Sequence, residues 1–237
     1  MPRSPERPLT PERFSQGMTF DEYVTYTGTP ANLARESGWW LGPVRKDLSD
    51  LLRNWYAGPA RMSAAQTAAI RWLAAQPDGP AKILVISEEW SSDCRRDVTM
   101  LARMAEAGGL ELRIFPRDGH RLGRGPRADP AESPNADLMN TFLREQDGQT
   151  FQSIPIAAFY TKDFRYLWHY VEFPAIYHKY RLSDAMRAAR PGETTEQTWD
   201  RFMRQWRDLQ LSPFFPIWTA ASANEILSAL YERVTGA

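Results

Sequence analysis

The stretch Glu88-Glu89-Trp90-Ser91-Ser92-Asp93-Cys94-Arg95-Arg96-Asp97 gathers the side chains of this sequence best equipped for chemistry, because it holds the only cysteine, Cys94, among hydroxyls and charges. A thiolate is a nucleophile and a metal ligand, and cations beside it favour that form. One cysteine permits no internal disulfide. Together with three scattered histidines, His120, His169 and His178, it gives no CxxC or HExxH spacing, so no metal and no cofactor is expected.

Several elements must position the thiol. Lys82-Ile83-Leu84-Val85-Ile86-Ser87 is a short apolar, β-branched run of the kind buried on both faces of a sheet. A helix is predicted from about Ser92 to Ala107, closed by Gly108-Gly109, followed by a strand from Leu110 to Phe115. These form a βαβ unit with parallel strands and a right-handed crossover. Residues 116–134, rich in Pro, Gly and Arg, read as a long surface loop, and their GRGPR lacks the spacing of a phosphate-binding loop. Asn135 is placed to cap a helix running to Leu143, with Leu138, Met139, Phe142 and Leu143 on one face. Strands are predicted over 154–160 and 165–171, joined by the polar turn 161–164. Apolar stripes on helices 195–209 (Trp199, Phe202, Met203, Trp206, Leu209) and 223–234 (Ile226, Leu227, Leu230, Tyr231) are docking faces.

The Pro-rich, charged residues 1–18 are expected to be a flexible arm, and 19–79 a helical extension divided by Pro30, Pro43 and Pro59. Trp39-Trp40-Leu41-Gly42-Pro43 is read as core packing rather than a ligand cage. The divisions are thus 1–18, 19–79, 80–172 as the core and 173–237 as C-terminal helices packed on it.

Helical spacing puts Cys94, Val98, Leu101 and Ala105 on one apolar face directed at the sheet, and burial there raises a thiol's pKa. Arg95 and Arg96 fall on the solvated face by the same arithmetic. Against burial stands the first-turn position of Cys94, where the helix dipole favours a thiolate. Ser91 at the N-cap can accept the Cys94 backbone N–H, which is a structural reason for a serine.

Four features in order carry a resemblance: Glu88-Glu89-Trp90 with a three-residue gap to Cys94 after a strand, the long helix, the helix from Asn135, and Ser153-Ile154-Pro155. The chain resembles the thioredoxin-like family, whose members carry an acidic-Trp-Cys-x-x-Cys stretch and a Ser-Ile-Pro loop. The resemblance covers roughly residues 80–172. It implies an α/β thioredoxin-like fold of βαβ-αββ-α order, a mixed sheet flanked by helices with N-terminal and C-terminal helical extensions. It also implies a cis Pro155 facing the site, with Ile154 offering its backbone to an extended partner.

The chain departs from the family at the decisive position. Ser91 stands where relatives keep the attacking cysteine, and Cys94 where they keep the resolving one. Exchange begins with an accessible thiolate, and a serine hydroxyl is too weak an acid to replace it. The expectation is a thioredoxin-family protein without dithiol oxidoreductase activity, keeping a cleft of Trp90, Ser91, Ser92, Asp93, Arg95, Ile154 and Pro155 for a peptide, a protein client or a low-molecular-weight thiol. The alternative is a single-cysteine redox protein in which Cys94 forms mixed disulfides with glutathione or a client, a role in cell redox homeostasis.

Composition narrows the partners. Twenty-nine basic and twenty-nine acidic side chains leave no net field for nucleic acid or an anionic membrane, despite Arg117, Arg121, Arg124 and Arg127 in one loop. The N-terminus lacks a signal-peptide core and no eighteen apolar residues run together, so a soluble, cytoplasmic protein is expected. The sequence leaves the oligomeric state open.

Overall fold

The computed structural model describes residues 8–37 and 44–236. Trp39-Trp40-Leu41-Gly42-Pro43 lies outside the described residues.

Five short helices come first: α1 (Pro11–Ser15), α2 (Phe20–Thr27), α3 (Pro30–Leu33), α4 (Ser49–Ala57) and α5 (Ala64–Ala74). The core follows as β1 (Lys82–Ser87), α6 (Ser92–Gly108), β2 (Glu111–Pro116), α7 (Ala136–Thr141), β3 (Arg144–Gln146), β4 (Gln149–Phe151), β5 (Ile156–Tyr160) and β6 (Tyr166–Val171). Helices α8 (Lys179–Arg187), α9 (Thr195–Leu211) and α10 (Phe214–Thr235) close the chain. The main sheet has the order β2-β1-β5-β6. β1 runs parallel to β2 in the register Ile83↔Leu112 and antiparallel to β5 in the register Ile86↔Ile156. This mixed sheet flanked by helices is the thioredoxin-like architecture with helical extensions.

Strand alternation divides the core in two. Ile83 and Val85 face Val98, Leu101 and Met104 of α6, Ile70 and Leu73 of α5, and Ile226 and Leu230 of α10. Leu84 and Ile86 face the other way, onto Phe14, Met139, Phe142 and Ile156. Gly109, at φ +66°, adopts the left-handed conformation that ends α6, an easy geometry for a residue with no Cβ.

Four expectations are corrected. The arm expected over 1–18 is ordered where it is described: Thr10 caps α1, Phe14 is buried against Phe164, and Arg13 pairs with Asp137 at 2.8 Å. Two apolar anchors, Leu9 and Phe14, suffice to hold a segment whose average composition is polar. Asn135 precedes α7 without capping it, because its amide donates to the Pro116 carbonyl (2.7 Å) and accepts from Arg13 (2.8 Å). The two-stranded β3–β4 hairpin interrupts the region between α7 and β5, where no strand was predicted. Finally, Arg95 and Arg96, expected on the solvated face, are buried, because each finds polar partners inside the fold, as described below.

Candidate functional site

The carboxyl ends of the parallel strands β1 and β2 lie side by side, with Arg117 N–H donating to the Ser87 carbonyl (3.2 Å). Such an edge is where parallel sheets present chain to ligands. From β1 the chain passes through Glu88, Glu89 and Trp90 into the N-terminus of α6. From β2 it passes through Arg117 and Asp118 into the long loop. Across from both lies Ser153-Ile154-Pro155, whose Ile154–Pro155 peptide is cis. Glu172 N–H donates to the Pro155 carbonyl (2.8 Å), which ties the end of β6 to that loop.

Together these segments enclose a cleft of about 430 Å³. Its floor is Trp90, Ser91, Ser92 and Asp93. One wall is Gln149 to Ile154, the other is Arg117 with Gly123 to Pro126 of the long loop, and Glu172, Lys179 and Trp206 complete the rim. The long loop therefore forms a wall of the cleft. Gly123 makes this close approach possible: its N–H donates to Asp118 Oδ1 at 2.8 Å, and a Cβ there would stand 2.9 Å from Gln152 Oε1.

Cys94 is outside this cleft. Its side chain is 1% exposed and packs with Leu84, Ile86, Trp90 and Ile154. Val98, Leu101 and Ala105 pack on the opposite core cluster, whereas Cys94, at the start of the helix, meets the end of β1. Burial pushes the thiol up to about 12, although the Glu88 N–H and the Ser87 and Ser91 hydroxyls oppose the shift. The field of the helix N-terminus is outweighed by the loss of water. Ser91 occupies the N-cap position in extended conformation, but its side chain does not cap the helix; the hydroxyl interacts with the Cys94 thiol instead.

Arg95 turns beneath the cleft rather than into it. It donates to the Glu89 and Trp90 carbonyls (both 2.9 Å) and to Gln210 (2.7 Å), so it holds the strand-to-helix turn. Burial pulls it down to about 10, which leaves it charged at neutral pH. Arg96 forms two hydrogen bonds to Asp97 (2.8 and 2.6 Å) and one to Asp93 (2.8 Å), and reaches the Glu172 carbonyl (3.2 Å). Lys179 pairs with Asp93 (2.5 Å) and Glu172 (2.6 Å), and Tyr170 donates to Asp97 (3.0 Å). Glu172 has φ +68°, a conformation costing a non-glycine residue roughly 1 kcal/mol, and its pairs with Lys179, Arg144 and Tyr180 hold it there.

A second ionic cluster braces the other side. Glu88 accepts from Arg35 (2.6 Å), Arg45 (3.2 Å) and the Asp118 N–H (2.8 Å), and Glu89 accepts from Arg45 (2.6 Å) and Asn32 (3.0 Å). Burial, with Asp118 and Glu89 nearby, pushes Glu88 up to about 7 against the pull of the two arginines. Trp90 Nε1 donates to Asp118 (3.0 Å) and Arg117 lies 5.3 Å from the Trp90 ring.

A family model described as Thioredoxin matches residues 55–122, spanning β1, α6 and β2. Over those residues the chain is similar to thioredoxin, and its sheet order with flanking helices is a thioredoxin-like fold. A solved structure of a protein of unknown function from Pseudomonas aeruginosa is similar at 13% identity and a TM-score of 0.49, covering 94% of this chain and 98% of that one. An HIV epitope scaffold is similar at 15% identity and a TM-score of 0.45, covering 95% of this chain and 97% of that one. No curated protein matches.

Of the residues expected at the thioredoxin-like cleft, Trp90, Ser91, Ser92, Asp93 and Ile154 line it together, whereas Arg95, Cys94 and Pro155 do not. Sequence reasoning missed Arg117, the 149–152 wall, Glu172, Lys179 and Trp206. For the wall a signal existed: Asp147-Gly148, both at positive φ, is a two-residue hairpin turn between short polar strands. The others come from distant segments. Of the loop arginines considered for nucleic acid, Arg117 pairs with Asp118, Arg121 with Glu132 and Arg124 with Glu36. Among the described residues no helix is long and apolar enough to cross a membrane, and no group of acidic, His or Cys side chains could hold a metal.

Proposed function

We propose that this thioredoxin-like chain is a binding protein without dithiol chemistry, whose cleft takes a peptide or a low-molecular-weight thiol compound without exchanging disulfides with it. One observation carries the reading: the residue lining the cleft at the attacking position is a serine, Ser91, and the only thiol is 1% exposed and pushed up to about 12. Exchange requires a thiolate with a line of approach to a disulfide sulfur. A thiol so protonated and so covered has neither. The flanks of the cleft support binding: the wall from Gln149 to Ile154 offers extended chain, and Ile154 precedes the β5–β6 ladder rather than taking part in it.

The test is incubation of the native protein with oxidised glutathione and, separately, with insulin and dithiothreitol. The proposal expects no glutathione adduct by intact mass and an insulin reduction rate equal to that of dithiothreitol alone. An adduct on native Cys94 would overturn it in favour of a single-cysteine redox protein.

A further inference from the structure

Within the cleft, the polar groups are not evenly used. Helix α6 spans 17 residues, and its first two, Ser92 and Asp93, line the cleft, whereas the N–H of the N-cap Ser91 is taken by the Glu88 carbonyl (3.1 Å). A helix N-terminus favours negative charge but does not by itself define a ligand. Two further side chains do so. Arg117 is 7% exposed, and its Nε and Nη1 are taken by Asp118 Oδ1 (2.8 Å) and the Gln152 carbonyl (2.9 Å). Its Nη2 has no hydrogen-bond partner among the described residues, while the side chain lines the cleft. The Ser92 hydroxyl, on a residue 5% exposed, likewise has no partner among the described residues and lines the same cleft.

The acidic groups around these donors are already engaged. Asp93 gives one oxygen to Arg96 (2.8 Å) and the other to Lys179 (2.5 Å). Asp118 Oδ2 accepts from Trp90 and Oδ1 from Gly123 and Arg117. Glu172 is shared among Lys179, Arg144 and Tyr180. The carboxylates of the lining are therefore engaged, and Gln152 Oε1, buried without a hydrogen-bond partner, is an uncharged amide oxygen, whereas the unused Arg117 Nη2 is a cationic donor fixed in place before any ligand arrives.

We propose that the cleft binds its ligand through an oxyanion, a carboxylate or a phosphate, held between Arg117 Nη2, the Ser92 hydroxyl and the first N–H groups of α6. This deepens the binding reading above and rests on it. Guanidinium suits such groups because it offers planar, directed donors, and at a desolvated site a charge-assisted hydrogen bond is stronger than a neutral one. Glutathione-like thiols and peptides with acidic or C-terminal carboxylates share this chemistry, and so does free phosphate.

Calorimetric titration of the full chain with glutarate, inorganic phosphate and uncharged glutaramide, at fixed ionic strength, tests it. Saturable binding of glutarate or phosphate, with none of glutaramide, is expected, and the tighter of the two anions names the source. Ser92→Ala, which disturbs no hydrogen bond of the fold, should weaken that binding roughly 3-fold to 10-fold, the loss of one neutral donor. Arg117→Lys keeps the charge but not the fork, and should weaken it by at least about 10-fold. Equal binding of glutaramide, no anion binding at all, or unchanged affinity in Ser92→Ala and Arg117→Lys would each overturn the oxyanion site. A neutral capped peptide that binds where no anion does would overturn it while leaving the binding cleft standing.

Discussion

Cys94 Sγ lies 3.5 Å from the Glu88 backbone N–H, at the point where β1 gives way to the turn that enters α6. The thiol accepts from the fold and faces its core, while Ser91, three residues earlier, lines the cleft. In this chain, position in the cleft and possession of a thiol have been separated. The predictions below follow from that separation and from the ionic clusters that hold it.

Replacing Ser91 with cysteine places a thiol in the cleft at the first position of a Cys-Ser-Asp-Cys stretch. Ser91→Cys should be alkylated in the native state and, with dithiothreitol as reductant, should gain insulin reductase activity that the parent lacks. Continued inactivity of a folded variant would mean that the cleft cannot support exchange even with the attacking thiol supplied.

Cys94 should be dispensable for binding. Cys94→Ala removes one buried sulfur and is expected to cost on the order of 1 kcal/mol of stability in urea unfolding, a small-cavity effect, with ligand affinity at the cleft unchanged. Loss of affinity in the folded variant would place the thiol in the site.

Arg96 compensates Asp93 and Asp97, both buried. Arg96→Met should destabilise the fold by about 3–5 kcal/mol, the cost of leaving buried charge without its partner, measured by urea denaturation. An isolated surface pair such as Arg53–Asp50 should change by less than about 1 kcal/mol on Arg53→Met.

His169 on β6 is a pH-dependent element. Burial lowers its pKa from 6.5 to about 4, with Tyr166 Oη 2.6 Å from Nδ1. The unfolded chain therefore binds a proton that the folded chain does not between these values, so the stabilisation is full above about 6.5 and is lost as pH falls toward about 4. The contribution is at most about 3 kcal/mol. Comparing His169→Gln with the parent by urea unfolding at pH 4.5 and pH 7.5 should show a smaller pH difference in the variant.

The parts of the fold that were legible in the sequence are those where periodicity and burial coincide. β1 reads as a short apolar run, five of its six residues are buried, and it lies within the sheet between β2 and β5. α6 announces its end in Gly108-Gly109. Helix α10 is legible only from 223 onward, since Pro216 and the aromatic residues Phe214, Phe215 and Trp218 obscure its first turns, although proline is tolerated near a helix start. Arg95 and Arg96 were misread because charge and helical phase predict solvent, whereas here Glu89 and Trp90 carbonyls and the Asp93 and Asp97 carboxylates supply partners inside. Lys179 and Trp206 enter the cleft from the C-terminal helices, and pairings across such chain distances leave no local pattern.

The most direct measurement is the rate at which native Cys94 is alkylated by iodoacetamide between pH 5 and pH 10, followed by intact mass. Protection throughout that range, relieved only when denaturant unfolds the chain, is the predicted result. Rapid alkylation of the folded protein with a midpoint below the ~8.5 of a free thiol would show an exposed, stabilised thiolate and contradict the account.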